Sequence, residues 1–198
     1  MLRIFGLLLI IIGTAVILFP YFQNQYYTHQ EGELVDSFRE LDQLFNDEQN
    51  RVHAAEVGVD DTSGDNIHHN EEVQGLIHID KIGLTLPMLE GATVENLDVG
   101  AGLMSQGFTF GEVGNIGIAA HRSRTSGRLF NRLDEVEVGD RVTVETHDSE
   151  YEYEVVDTFI VEPEDISVLD VQEDKSMITL ITCTIDSTQR VIVQAKLL

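Results

Sequence analysis

From Gln74 to the C-terminus the chain consists of short apolar runs, rich in β-branched residues and separated by turn residues at fairly regular spacing. This pattern predicts an all-β barrel or sandwich, and it disfavours a parallel α/β architecture because no long helices alternate with the runs. Two short helical pieces are predicted at Val94–Val99 and Gly127–Leu133. The predicted strands are Gly75–Asp80, Leu84–Met88, Asn115–Ala120, Arg141–Thr146, Glu150–Val161, Ile178–Thr184 and Gln189–Leu197.

The N-terminal segment is strongly apolar. Ile4–Phe19 is preceded by one cation, Arg3, and no Asp, Glu, Lys or Arg follows before Glu31. Residues 4–23 therefore have about the 20 residues that a helix needs to cross a bilayer. The positive-inside rule then predicts a cytoplasmic N-terminus and an extracellular body. A cleaved signal peptide is the alternative, but its apolar core would be shorter and no small-x-small cleavage site follows the run. We predict a plasma-membrane signal anchor over residues 1–25.

The chain between this anchor and the first predicted strand has two parts of different composition. Glu31–Asn50 carries apolar residues three to four positions apart, which is typical of an amphipathic helix that forms a stalk or lies on the domain. Arg51–Glu72 is rich in Gly, Asp, Asn and Ser and indicates a flexible linker. We expect residues 26–72 to be stalk and linker, and residues 73–198 to form the folded domain.

The net charge limits the partners of this chain. A formal net charge of -23 excludes general affinity for nucleic acid or anionic lipid. A highly solvated surface explains the charge more simply than attraction to a cationic partner does.

The only cysteine is Cys183, in the string Thr-Leu-Ile-Thr-Cys at residues 179–183. An extracellular chain with one cysteine has no internal disulfide, so catalysis, intermolecular pairing or inert burial remain. If Thr184 pairs with Gln189 in a hairpin, Cys183 lies opposite Arg190 with Cβ atoms about 5 Å apart. A guanidinium there would favour the thiolate and could hold a developing oxyanion. The alternative is a solvated arginine beside a small buried cysteine.

His121 ends the strand-like run Asn115–Ala120 and begins a polar cluster. A histidine at the end of a strand, facing a cleft, can act as general acid and base in acyl transfer. A surface histidine at the start of a loop is the alternative.

Together these residues resemble the sortases. Residues 179–183 match the Thr-Leu-x-Thr-Cys pattern of that family, with Arg190 after it and Ala119-Ala120-His121 upstream. The similarity extends from about Gly75 to the C-terminus. It implies an eight-stranded β-barrel with short helices, tethered outside the membrane of a Gram-positive bacterium.

The resemblance also implies a reaction. Sortases are transpeptidases that cleave an LPXTG-type C-terminal sorting signal between Thr and Gly, and then join the surface protein to an amine on a cell-wall precursor. In this chain Cys183 would attack the Thr carbonyl to give a thioacyl intermediate. Arg190 would hold the oxyanion or position the substrate. His121 would protonate the leaving amine and deprotonate the incoming one.

The substrate contacts implied by the resemblance lie beside the cysteine. Backbone N–H groups around Thr182 would face the oxyanion, and the segment Glu164–Leu169 would form an apolar wall for the Leu and Pro of the signal. The candidate substrate-binding residues are Thr182, Ile166, Val168 and Leu169. The same apolar side chains could instead cap the barrel.

The single anchor and a chain that ends at Leu198 resemble class A sortases. Classes D and E stay open, partly because Arg122 follows His121, and class C is disfavoured because its members usually add a C-terminal membrane helix and a lid. Some class A members bind calcium through acidic side chains. The matching positions in this chain hold no acidic residue; they are Gln106, Thr109, Val113 and Val171. We therefore expect no calcium site of this kind, and we expect no other metal and no cofactor.

Two other kinds of protein fit parts of this pattern. Cell-wall L,D-transpeptidases and peptidoglycan endopeptidases are also exported and pair a cysteine with a histidine, although with other spacings. A membrane-tethered binding module without catalysis is the second alternative.

Overall fold

Eight strands close into a barrel in the computed structural model, which describes residues 2–52, 73–104, 109–125 and 127–198. Around the barrel the strands follow the order β1-β2-β3-β4-β7-β8-β6-β5. This architecture confirms the predicted all-β, eight-stranded fold. The strands are β1 (Val73–Ile79), β2 (Leu84–Glu90), β3 (Ala101–Leu103), β4 (Gly114–Ala119), β5 (Arg141–Glu145), β6 (Glu150–Val161), β7 (Ser176–Cys183) and β8 (Arg190–Leu197).

The barrel interior is filled by one side of every long strand. Because successive side chains of a strand point to opposite faces, alternate residues enter the core. In β7 these are Ile178 and Leu180, both fully buried, and in β4 they are Ile116 and Ile118. Closure removes the exposed sheet edges that would otherwise pair with other chains. The outer face of these strands is therefore available for a site.

Two strand pairings bring the candidate residues together. β7 and β8 form an antiparallel hairpin in which Cys183 is the register partner of Arg190, as the sequence predicted. β4 and β7 pair in parallel from Gly114↔Ser176 to Ala119↔Ile181, although more than 50 residues separate them along the chain. This parallel pairing places the end of β4 beside the end of β7.

The strand predictions missed one element. β3 has three residues, pairs in parallel with β2 and antiparallel with β4, and is too short to show a periodic pattern. A Cβ at Gly102 would lie 2.6 Å from the Gly91 carbonyl oxygen, so this close approach requires glycine.

The two predicted short helices agree with the structure to different degrees. A helix occupies Val94–Val99 as predicted, and we name it α2; the Thr93 side chain accepts a hydrogen bond from the N–H of Asn96 and caps it. The second piece is a 3₁₀ helix at Phe130–Glu135, rather than a helix from Gly127. It begins later because Leu129 has a positive φ of 51° and bridges to Arg122.

An uninterrupted helix, α1 (Leu2–Val52), precedes the barrel. Phe38 of this helix is fully buried against Val73, Leu76 and Leu89, and Leu34 packs beside it. The predicted amphipathic segment thus lies on the barrel through at least part of its apolar face.

Within the part of the chain that the structure describes, no helix combines the length and apolar character that bilayer crossing needs. The side chains of residues 1–11 lie outside that part, and they include the start of the predicted transmembrane segment. Most of the predicted linker, residues 53–72, and Gln106 lie outside it as well.

Replacing Phe38 with alanine should detach α1 from the barrel. Loss of a fully buried phenylalanine costs about 3 to 5 kcal/mol through lost transfer energy and a cavity. We expect faster amide hydrogen exchange at Leu34–Phe38 and a lower thermal unfolding temperature. Phe19→Ala on the same helix is the matched control, because the Phe19 side chain is 67% exposed. Equal exchange in both variants would show that the Phe38 contact does not hold the helix.

Candidate active site

The site is built around the last residue of β7. Because Ile178 and Leu180 face the core, Thr179, Ile181 and Cys183 project from the outer face of the barrel. Cys183 is half-buried and has no disulfide. Its neighbours are set by the two strands that flank β7, which are β4 on one side and β8 on the other.

Arg190 stands beside Cys183 across the hairpin. The Thr184 N–H donates to the Gln189 carbonyl oxygen at 3.0 Å, so residues 184 and 189 form a hydrogen-bonded pair. Cys183 and Arg190 are then a non-hydrogen-bonded pair, whose Cα atoms lie about 4.5 Å apart and whose side chains are closest. Arg190 Nη1 donates to the Gln189 carbonyl at 3.1 Å, and no carboxylate of the described residues pairs with Arg190. Its remaining N–H donors can serve a ligand.

His121 approaches Cys183 from the opposite side. The Ala120 N–H donates to the Ile181 carbonyl at 3.1 Å and continues the parallel register past Ala119↔Ile181. Two residues further, this register places His121 opposite Cys183, on the outer face and exposed. Cys183 therefore lies between His121 and Arg190 across three adjacent strand ends. The predicted residues come together through strand register alone.

The Thr182 side chain is buried and contributes to the structure of the barrel. It is 2% exposed, and its hydroxyl donates to the Ala120 carbonyl at 2.9 Å. The side chain thus ties β7 to the end of β4, just before His121, and does not reach the outer face. Since the Thr184 N–H points to β8, the N–H of Cys183 points the other way, toward the end of β4.

A buried polar network fixes the segment between β6 and β7. The Val168 carbonyl accepts hydrogen bonds from Asn115 Nδ2 at 3.0 Å and Gln194 Nε2 at 2.9 Å, and it shares the Thr179 hydroxyl at 3.3 Å with Asn115 Oδ1, which is the closer acceptor of that hydroxyl. Thr179 Oγ1 also lies 2.8 Å from Asn115 Oδ1. These donors come from the outer faces of β4, β7 and β8. Sequence reasoning missed this network, which holds the segment against the barrel at the row of Thr179 and Gln194, two rows away from Cys183.

The three apolar residues predicted to form the substrate wall occupy different environments. Ile166 is 78% exposed, Val168 is 7% exposed, and Leu169 is half-buried. A Cβ at Gly117 would lie 2.7 Å from Leu169 Cδ2, so the absence of a side chain on β4 makes room for Leu169. Ile166 and the outer part of Leu169 can contact a ligand, whereas Val168 serves the packing of the segment.

The turn between β7 and β8 is held at two points. Gln189 Nε2 donates to Glu162 Oε1 at 2.8 Å and links this turn to the end of β6. Thr184 Oγ1 donates to Asp186 Oδ1 at 2.6 Å, and this hydrogen bond lowers the pKa of the Asp186 carboxyl. Both contacts stabilise the hairpin that presents Arg190.

This arrangement has the parts of covalent acyl transfer. A thiol can act as nucleophile, an exposed imidazole as acid and base, and a guanidinium with a backbone N–H can hold an oxyanion. A β-barrel that carries these groups on adjacent outer strand ends defines a cysteine-dependent transpeptidase.

Comparison with known proteins gives the family. The sortase domain family matches residues 77–198, and the chain therefore belongs to the sortase family, whose members are cysteine transpeptidases. This membership favours the transpeptidase interpretation over the other exported cysteine enzymes and over a non-catalytic module.

Similar proteins cover nearly the whole chain. Sortase A of Streptococcus agalactiae is 28% identical over 96% of this chain and 81% of its own length. Sortase A of Bacillus anthracis is 28% identical over 98% of this chain and 93% of its own length. A solved structure of a Clostridium perfringens sortase D5 transpeptidase superimposes with a TM-score of 0.67 at 28% identity, over 86% of this chain and 99% of that one.

Removing the Thr179 hydroxyl should loosen the segment that carries Ile166. Thr179→Val leaves Asn115 Oδ1 without this donor in a buried place, which costs about 1 to 3 kcal/mol. We expect faster amide exchange over residues 166–170 and a lower free energy of unfolding in denaturant titration. Thr158→Val on β6 is the matched control because Thr158 is exposed. If both variants exchange alike, the network does not hold the segment.

Proposed function

We propose that this chain is a membrane-anchored sortase that cleaves an LPXTG-like sorting signal between Thr and Gly and transfers the surface protein to a cell-wall amine. The observation that supports this proposal most directly is the position of Cys183 between His121 and Arg190 on the outer face of the barrel. An extended peptide can lie on this outer face, beside the segment between β6 and β7 that exposes Ile166.

The first half of the reaction forms a thioester. His121 takes the proton of the Cys183 thiol as the sulfur attacks the carbonyl carbon of the signal's Thr, and the resulting oxyanion is held by Arg190 and by the N–H of Cys183. The bond from this carbon to the Gly nitrogen then breaks. His121 gives its proton to that nitrogen, and the Gly-bearing fragment leaves.

The second half returns the enzyme to its starting state. An amine nitrogen attacks the thioester carbon, His121 takes a proton from it, and the bond between carbon and sulfur breaks. His121 returns this proton to the departing Cys183 sulfur, and a new amide joins the surface protein to the acceptor. The same oxyanion contacts serve both halves, because both pass through a tetrahedral intermediate at the same carbon.

The proposed location rests on the sequence of the N-terminal segment. The apolar run Ile4–Phe19 follows Arg3 and continues into a helix that docks on the barrel at Phe38. We propose a single-pass anchor in the plasma membrane with a cytoplasmic N-terminus and an extracellular barrel. The resemblance to class A sortases remains a prediction, and so does the absence of a calcium site.

Incubation with an LPXTG peptide should yield a covalent adduct on Cys183. Mass spectrometry of the intact protein should show the mass of the peptide up to its Thr, and the Gly-bearing fragment should appear in solution. Cys183→Ala and alkylated protein should give neither product, because the nucleophile is gone. A peptide with its Thr and Gly exchanged is the substrate control. Fragment release that survives Cys183→Ala would disprove the proposal.

Arg190 should contribute to catalysis through its geometry as well as its charge. Loss of one oxyanion donor lowers kcat by about 100-fold to 1000-fold. We expect Arg190→Gln to show a loss of this size in fragment release, and Arg190→Lys to recover only part of it because an ammonium lacks the planar fork. Arg141→Gln, on an exposed arginine of β5, is the matched control. Full activity in Arg190→Gln would remove Arg190 from the mechanism.

A further inference from the structure

Helix α1 and the loop that follows His121 line an open cavity of about 410 Å³. We call residues 121–125 and 127–129 the His121 loop. The helix lines the cavity with Gln23 and Tyr27, α2 contributes Asp98, and the loop contributes His121 and Arg124 among others. Cys183 does not line it within the described chain, but His121 does, so the cavity adjoins the candidate active site at His121.

Arg128 holds the helix to this loop. Its side chain is 12% exposed and its Nε lies 3.3 Å from Glu31 Oε2, an ion pair without the alignment of a hydrogen bond. Its Nη2 donates to the Asp98 carbonyl, and its guanidinium carbon lies 5.5 Å from the centre of the Tyr27 ring. Burial raises the pKa of the Glu31 carboxyl, with Arg128 acting in the opposite direction. These contacts make Tyr27 a fixed wall of the cavity.

Four arginines lie in and around the His121 loop, and two of them, Arg124 and Arg128, line the cavity. Arg122, Arg124, Arg128 and Arg132 are four of the 12 lysines and arginines in a chain of net charge -23. Arg122 pairs with Asp134 at 2.7 Å, Arg132 pairs with Glu135 at 2.6 Å, and Arg128 pairs with Glu31. Arg124 has no carboxylate partner among the described residues, and it is exposed on the cavity. An anionic group can therefore bind at this arginine.

We propose that this cavity receives the acceptor amine, that Tyr27 positions it, and that Arg124 binds a carboxylate carried by the same acceptor. The inference rests on the proposed function, because only the second half of that reaction needs an amine. An amine in the cavity reaches the thioester from the His121 side, and His121 can take its proton. The acceptor is thus an amino-acid or short-peptide amine that also carries a free carboxylate.

The binding of a carboxylate by Arg124 is tested with the full-length protein, an LPXTG peptide, and triglycine or triglycine amide as acceptor. Wild-type protein should show a lower KM for triglycine than for its amide, and Arg124→Gln should raise the KM for triglycine about tenfold, as loss of one charge-assisted hydrogen bond predicts. The amide, which lacks the carboxylate, should respond little to the substitution. Arg141→Gln should keep the wild-type KM for both acceptors.

The wall is tested with Tyr27→Ala, which should raise the KM for triglycine several-fold and lower the ratio of transfer to hydrolysis. Tyr27→Phe should retain the wild-type ratio because the ring remains. Tyr26→Ala is the matched control, since Tyr26 is 60% exposed and does not line the cavity.

The KM for the LPXTG peptide separates positioning from a general loss of structure. If Tyr27→Ala and Arg124→Gln raise it as much as they raise the KM for triglycine, the inference is wrong. Unchanged acceptor kinetics in both variants would overturn it as well. Failure of the wild-type protein to release the Gly-bearing fragment would instead contradict the proposed function itself.

Discussion

The backbone hydrogen bonds that hold β7 between β4 and β8 determine the rest of the site. β7 is parallel to one neighbour and antiparallel to the other, and each register is fixed over at least six residue pairs. A shift of one residue would turn Cys183 into the core and Thr182 outward. The apolar side chains Ile178 and Leu180 oppose such a shift because it would expose them. The hydrophobic core therefore sets the position of a thiol that is not part of it.

The part of this arrangement that is local in the chain could be predicted from sequence. Four residues separate Thr184 from Gln189, so a hairpin places Cys183 opposite Arg190 by counting alone. The proximity of His121 followed from the family resemblance, because nothing in a single sequence states that β4 and β7 pair. β3 was missed since three residues carry no period, and its parallel contact with β2 depends on the crossover through α2.

Non-local contacts between polar side chains could not be predicted in the same way. The acceptor role of the Val168 carbonyl depends on donors from three strands, which the sequence keeps 15 to 79 residues apart. One signal was present: Asn115 is a polar residue inside an apolar run, and a buried amide needs partners. The contact between Arg128 and Glu31 likewise joins segments almost 100 residues apart, and charge alone does not select this pair among 35 acidic residues.

The uninterrupted helix α1 acts as a rigid support whose length sets a distance. At a rise of about 1.5 Å per residue, the contacts of the helix with the barrel domain begin at Tyr27, about 12 Å along the axis from Phe19, where the apolar run ends, and they continue to Phe38. A flexible tether would let the barrel sample many heights and orientations. With the proposed anchor in place, a docked helix holds the barrel at one height above the bilayer and keeps the same side of it toward the lipid surface. The reach of the enzyme is then a property of the helix, so inserting or deleting one turn would move the site vertically by about 5 Å.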